Sequence, residues 1–531
     1  MPRQQTEPGS DVFPLQPDGQ SSATSDSCHS LLDEFLAAPL AAVAADDEPV
    51  RVRAQLKEFL AANTPEQTLQ LWLRAAAGRP LRMDDIRRGL ARDIARIDVL
   101  LSDQVNQILH SPAFQALESA WRGLHYLWRT RRDLLSDRGL EDKASPIEIR
   151  VLNVSRKELK KDFEDAVDFD QNQLFRKVYE EEFGTAGGHP FGALIANYEF
   201  TNHPDDIDLL ARLSGIGAAA FAPVIAAAAP SLLGLDDFSL LEQPMDLEKI
   251  FQQPKYRKWR SLREKPDAQF LGLTLPRVLL RAPYRDDGLH RHGFRFREDV
   301  EEKDRSHYLW GSAAWPMGAV ILRAFATSGW FADIRGVERG VEGGGLVTGL
   351  ESCCFQTDPA GVAIRSSVEV SVSDVRESEL CDMGFIPLSH CRDTEWSVFY
   401  SNQSVHRPEK YSEAAATANA RISAMLQYVL CCSRIAHVLK VKARNKIGSM
   451  SSAREIENEL KTWLVDYVTP DEKAAPSWKA RYPLREADVQ VEEIAGEPGK
   501  FNLTMRLLPH YQLDQLSSCV TLVARRMEFR E

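Results

Sequence analysis

The chain has 531 residues, 44% hydrophobic and 27% charged, with a formal net charge of −12 at pH 7. This length and composition provide core for two to four domains and exclude disordered, collagen-like and coiled-coil classes for most of the chain. The acidic balance argues against nucleic acid as a partner, because polyphosphate binding needs a basic face.

Residues 1–28 are rich in Pro, Gln, Ser, Gly and Asp and lack apolar periodicity, so they are predicted to be a disordered tail. Residues 29–40 read as an isolated amphipathic helix. Ser30 is placed to cap it, with Asp33 three residues on. Leu31, Leu32, Phe35 and Leu36 share one face, and Pro39 marks its end. With no neighbouring element to cover that face, the helix has the form of a docking peptide for a grooved partner.

Residues 41–140 read as a helical N-terminal region. Ile94, Ile97, Leu101, Val105, Ile108 and Leu109 keep a helical spacing that stops before Pro112. Phe114, Leu117, Trp121, Leu124 and Trp128 mark the next helix. Trp121, Trp259, Trp310, Trp315 and Trp330 are expected to be packing anchors, since each buries a large area.

Residues 141–400 alternate between strand and helix signals, which favours an α/β middle domain. Strands are predicted at 147–152, 194–196, 269–275 and 368–374, and helices at 156–183, 205–229 and 311–328. The glycines from Gly340 to Gly349 predict a loop without GxGxxG spacing.

Residues 401–531 form a C-terminal region. One long helix is predicted over 409–447 and a second over 453–468. Alternating runs follow, with Val489 and Val491 in the first, Leu503 and Met505 in the second, and Val520 and Leu522 in the third. A terminal strand of this kind can pair with the edge of another chain.

The search for chemistry finds no Walker A, GxSxG, HExxH or EF-hand pattern. The HxH at His290 and His292, with His307, His390 and Cys391 far along the chain, gives no convergent metal set. His437 in the long helix has no acid or nucleophile at a telling spacing. The expectation is therefore no enzyme, no cofactor and no metal. The apolar run from Ile216 to Ala229 is broken by Pro223 and falls short of the roughly 20 residues a bilayer needs. The N-terminus reads as lacking a secretory signal, and the cysteines, with no CxxC among them, read as reduced thiols. A cytoplasmic protein without membrane insertion is expected.

A series of short blocks then becomes recognisable. Ile108-Leu109-His110-Ser111-Pro112-Ala113-Phe114-Gln115-Ala116-Leu117-Glu118, followed by Ala120-Trp121-Arg122-Gly123-Leu124, resembles a block of the large subunit of the type VI secretion contractile sheath, the TssC, VipB or EvpB family. Arg150-Val151-Leu152-Asn153-Val154-Ser155, Gly187-Gly188-His189-Pro190-Phe191-Gly192, Leu275-Pro276-Arg277 and Gly384-Phe385-Ile386-Pro387-Leu388 follow in the family's order. So does Ser433-Arg434-Ile435-Ala436-His437. The resemblance runs from about residue 94 to 526. Phe221, Gln427 and Val438 depart from the family's usual residues and point to a divergent or second-copy paralogue.

The resemblance implies a mixed α/β, multi-domain sheath subunit with C-terminal helices and a small interlocking β-sheet. It implies assembly with the small sheath subunit TssB and with further copies of itself around a tube of Hcp, on a baseplate. A ClpV-type AAA+ ATPase would disassemble the spent sheath. By position, Leu31, Leu32, Phe35 and Leu36 would be the unfoldase-binding helix, and the terminal runs would be the inter-subunit strands. Arg454, Glu455 and Glu459 on the 453–468 helix are candidates for the inner wall. Two other readings stay open: a non-polymerising adaptor for an AAA+ unfoldase, and an enzyme with a site in the middle domain.

Overall fold

The computed structural model describes residues 48–76, 82–137, 147–166, 171–185, 188–285, 293–300, 305–337, 342–354, 365–391, 394–446, 453–471, 474–494, 501–510 and 520–524. The chain divides into two compact units, Met1–Ile97 and Asp98–Glu531. In the first lie α1 (Glu48–Leu60), α2 (Pro65–Ala76) and the start of α3 (Met83–Leu109). The Thr64 hydroxyl accepts the Gln67 N–H at 3.3 Å, and Pro65 opens α2 with a φ already suited to a helix. The Trp72 indole donates to Asp93 at 2.9 Å.

The second unit begins with the rest of α3 and continues into α4 (Pro112–Ser136). Residues 147–152, predicted as a strand, join no ladder among the described residues. Ile147 is buried, and its carbonyl accepts from Arg131 Nε at 2.9 Å; Val151 and Leu152 face solvent. Next comes α5 (Arg156–Asp165), opened by a reciprocal capping box between Ser155 and Glu158. A nine-residue π-helix, Arg176–Gly184, follows.

The middle strands are β1 (Leu194–Phe200), β2 (Val224–Ala228), β3 (Leu271–Leu275), β4 (Val278–Arg281), β5 (Leu309–Gly311) and β6 (Ile386–Pro387). β1, β2, β3 and β6 form a parallel sheet in that order, while β4 and β5 pair antiparallel. Between β1 and β2 lies α6 (Pro204–Ala220). The helix predicted over 205–229 therefore ends early. Phe221 adopts a left-handed conformation (φ 51°), and Pro223 offers no N–H to carry the helix on. Val224–Ala228 is buried throughout between two parallel neighbours, where a strand reads as a continuous apolar run. Its alanines gave it the look of a helix.

This sheet is covered on both faces. Leu271, Leu273 and Leu275 of β3 pack with Leu209, Leu210, Leu213 and Ile216 of α6 and with Trp259 and Leu262 of α7 (Arg257–Glu264). On the other side Ile225 and Ile386 meet Met317, Val320 and Ile321 of α8 (Ala314–Ser328), with Tyr126 and Leu127 of α4. Gly123 lets α4 approach α8: a Cβ there would lie 2.2 Å from the Trp315 indole nitrogen. Gly123→Ala would gain about 1 kcal/mol of helix propensity. The overlap should outweigh that, at roughly 1–3 kcal/mol, so a lower urea midpoint is expected. A raised midpoint would contradict this packing.

Two further expectations are corrected. The strand predicted over 368–374 reduces to a single bridge, Val368 to Val278, because Ser373 already caps α9 (Asp374–Asp382). The long helix over 409–447 is two helices, α10 (Ala414–Ser423) and α11 (Leu426–Lys446). The chain at 402–404 takes the backbone groups at the break: Leu426 N–H donates to Asn402 O at 2.8 Å, and Ser404 Oγ donates to Ala424 O at 2.5 Å. The glycine-rich segment is not wholly loop, since Leu346–Val347 pairs with Ser397–Val398.

The C-terminal region holds α12 (Ala453–Val465) and an antiparallel sheet of β7 (Leu484–Glu493), β8 (Phe501–Pro509) and β9 (Val520–Ala524), in that order. Val489, Val491, Leu503, Met505 and Leu507 pack against Ile456, Leu460 and Leu464 of α12 and Cys432, Ile435 and Leu439 of α11.

Candidate assembly interface

Val489 and Val491 of β7 and Leu503 and Met505 of β8 are buried within the chain's own core. Their apolar face holds the small sheet onto α12. β8 is the centre strand, with Val489 opposite Met505 and Val491 opposite Leu503. Val520 and Leu522 lie in β9, paired with Leu507 and Met505. The two margins of the sheet differ. On β7, the Val491 N–H donates to Glu457 Oε2 of α12 at 3.1 Å, and Leu484 bridges to Val468. On β9, no further strand pairs among the described residues. A margin of unpaired main-chain groups is a template for another chain.

Arg454, Glu455 and Glu459 project from the exposed side of α12, opposite Ile456, Leu460 and Leu464. Lys461 ties that helix to β7, bonding Glu457 at 2.9 Å and Asp488 at 3.2 Å. Leu31, Leu32, Phe35 and Leu36 lie outside the described residues, as do His290 and His292. Among the described residues no group of three or more His, Cys, Asp and Glu is placed to hold a metal ion.

Several ionisable groups buried in the second unit tie its elements together. His437 donates from Nε2 to Ala220 O at 2.8 Å, tying α11 to the end of α6. Burial pushes its imidazole down to about 4, so it is neutral at pH 7. Glu369, 2% exposed, is pushed up to about 7 by burial, against the pull of Arg277. Arg277 is itself held in a two-pronged pair by Glu199, at 2.8 and 2.7 Å.

A carboxyl whose folded pKa is raised costs stability above that pKa and nothing below its unfolded value. From the ordinary 4.5 to about 7, the penalty is on the order of 3 kcal/mol. Glu369→Gln should therefore be more stable than the parent at pH 8, with the gap closing towards pH 5. Urea titrations at both pH values check this. A gap that does not change with pH would refute the burial argument.

One sequence expectation fails here. Trp259, Trp315 and Trp330 are buried anchors, but Trp121 is 66% exposed. The helix α4 buries Ser119, Gly123, Tyr126 and Leu127 instead, and turns Leu117, Trp121 and Trp128 outward. Helical spacing identifies apolar stripes but does not say which stripe faces the core. The small residues Ser119 and Gly123 were the available signal, since close helix approach needs them.

The described residues present a sheet margin and exposed helix faces. Comparison with known families gives the class. Residues 91–406 match the family described as EvpB/VC_A0108, tail sheath N-terminal domain, and residues 415–526 match EvpB/VC_A0108, tail sheath gpW/gp25-like domain. The chain belongs to this VipB/EvpB tail sheath family and is a structural, large-subunit sheath protein of the type VI secretion system. It is 40% identical over 451 residues to the type VI secretion system sheath protein TssC1 of Pseudomonas aeruginosa, covering 84% of this chain and 88% of the relative.

A solved structure, the cryo-EM structure of the anti-feeding prophage (AFP) baseplate, 6-fold symmetrised, aligns with a TM-score of 0.30 and 11% identity. That alignment covers 75% of this chain and 84% of the other, and at that TM-score it carries no argument. Among the described residues no helix is long and apolar enough to cross a membrane.

Proposed function

We propose that this chain pairs with a TssB-type small subunit in the cytoplasm and stacks with its own copies around an Hcp tube. The sheath stands on a baseplate, contracts to propel the tube, and is dismantled by a ClpV-type AAA+ ATPase. No reaction centre is needed, because the work comes from two packings of the same subunits, the extended one metastable. The observation that carries this reading is the terminal sheet. Its core-facing side chains anchor it to α12, and among the described residues no strand covers the β9 margin, where a strand of a neighbouring chain would add. Strands shared between subunits let rigid bodies rotate without the lattice separating.

Co-expression with the small sheath subunit, followed by negative-stain imaging, tests the reading. Tubules are expected, and two separate soluble proteins would overturn it. The N-terminal segment is assigned to the unfoldase. Leu32→Asp with Phe35→Asp should leave tubules intact and abolish capture by the ATPase in a pull-down. Undiminished capture would remove that assignment.

A further inference from the structure

From Ala414 to Lys446 the sequence contains neither glycine nor proline, and Ile422, Met425, Val429 and Cys432 continue one apolar stripe at spacings of three and four. Other helices of the chain end on a residue that stops them, α6 at the left-handed Phe221 and α8 at the left-handed Gly329. α10 and α11 are parted without one. Ala424 keeps right-handed φ and ψ of −85° and 0°, and Leu426 opens α11, so the interruption is confined to Met425.

What parts the two helices is a segment inserted from elsewhere in the chain. In a continuous helix the Leu426 N–H would bond Ile422 O, and Ala424 O would accept the Tyr428 N–H. Instead the Leu426 N–H goes to Asn402 O at 2.8 Å, and Ala424 O accepts the Ser404 N–H at 3.1 Å and the Ser404 hydroxyl at 2.5 Å. Gln403 thereby faces Met425 in an isolated antiparallel bridge. The inserted segment is incompletely satisfied. Asn402 and Gln403 are 1% and 7% exposed, yet Asn402 Oδ1 and Gln403 Nε2 have no hydrogen-bond partner among the described residues, which is costly for buried polar atoms.

The two helices are also held unequally. Leu426 and Leu430 of α11 sit in the core with Ile225 and Ile386, and Ile435 and Leu439 sit in the core of the terminal sheet. Ile422 of α10 forms a small separate cluster with Met425 and Tyr428. Arg421 of α10 pairs with Asp382, but both side chains are half exposed or more, where an ion pair is weak.

We infer that residues 414–446 are a two-state element, broken while residues 402–404 are inserted and one continuous helix when they withdraw, with α10 swinging about a fixed α11. Each state satisfies the main chain at the break with its own set of bonds, so the same sequence supports both. The proposed function calls for two packings of the same subunits. This switch would be the part of that change made inside the chain, and to that extent it rests on that reading.

Hydrogen exchange of the full-length chain reads the switch. The Ser404 amide is bonded to Ala424 O only in the inserted state, whereas the Leu426 amide is bonded in both. Ser404 should therefore lose protection in openings that leave Leu426 protected. Joint loss at both amides would be ordinary local unfolding and would overturn the inference, as would lasting protection at Ser404. A lock gives a second reading. The bonds flanking Gln403 and Met425 make them a non-hydrogen-bonded pair, a type whose Cα atoms lie about 4.5 Å apart, within disulfide range. The oxidised variant Gln403→Cys/Met425→Cys should lose the Ser404 exchange and regain it with dithiothreitol. Unchanged exchange in the oxidised variant would overturn the inference. Co-expressed with the small subunit and imaged by electron microscopy, the oxidised variant should hold its tubules in one packing until it is reduced. Locked tubules that reach both packings would overturn the part given to the switch in the sheath. Absence of tubules from the parent chain would instead overturn the proposed function, with the exchange result standing by itself.

Discussion

Arg281→Met should destabilise the second unit by about 3–5 kcal/mol, the penalty for stripping one partner from a buried charge network. Arg281 and Glu298 are both buried and joined by two bonds of 2.5 and 2.9 Å. Arg281 Nε also bonds Glu118 at 2.9 Å. Glu298 accepts the Tyr284 N–H at 2.9 Å, and His110 Nε2 lies 3.4 Å from its other oxygen. The His110 ring stacks on His307 at 4.1 Å. The network thus joins the α3–α4 corner to β4 and to the segment before β5. Methionine fills the space but leaves the buried Glu298 without its cation, while Glu118 keeps Arg122 at 2.7 Å.

The neutralised double variant Arg281→Met/Glu298→Gln should recover much of the loss, because the largest part of it is the unpaired charge. Urea unfolding of the parent and the two variants measures both steps. A single-variant loss under about 1 kcal/mol would show that water, not Arg281, satisfies Glu298.

The acid response of this corner has a definite sign. Burial alone would raise Glu298, but the bonds from Arg281 and Tyr284 hold it below the ordinary carboxylate range. Its contribution is complete at neutral pH and is lost as pH falls through that lowered value. His110 is lowered by burial, then by His307, and is held neutral in the fold. Protonating it also costs stability, from about pH 6.5 downward.

How far such features could be read in advance depends on the range of the interactions that make them. The terminal strands were legible because Val489, Val491, Leu503 and Met505 alternate with polar neighbours on a sheet with one wet face. The helix ending at Ala220 was legible only at its start. What ends it is the left-handed Phe221, and what turns Val224–Ala228 into a strand is a place between β1 and β3. Neither is a local property. The break at Met425 is of the same kind, because residues 402–404 supply the competing bonds from twenty or more positions away. At the candidate interface the residue types were visible, but Trp121 was assigned inward. Only the partner across the helix, Trp315 against Gly123, decides which stripe is buried.

The sheet margin gives the other large expected effect. In an antiparallel ladder successive residues direct their N–H alternately to the strand on either side. Thr521 and Leu522 sit opposite Arg506 and Met505 of β8, so one of the two donates into β8 and the other points out from the margin. Proline removes the donor in either case. Thr521→Pro and Leu522→Pro should both abolish tubules when co-expressed with the small subunit. Only the variant that loses the bond to β8 should also lower the chain's own thermal midpoint. The informative molecule is the one that keeps its midpoint, since its failure to polymerise cannot be blamed on a damaged fold. Normal tubules from that variant would show that main-chain bonds at β9 do not join one subunit to the next, and the lattice contacts would then have to be sought on the helical faces.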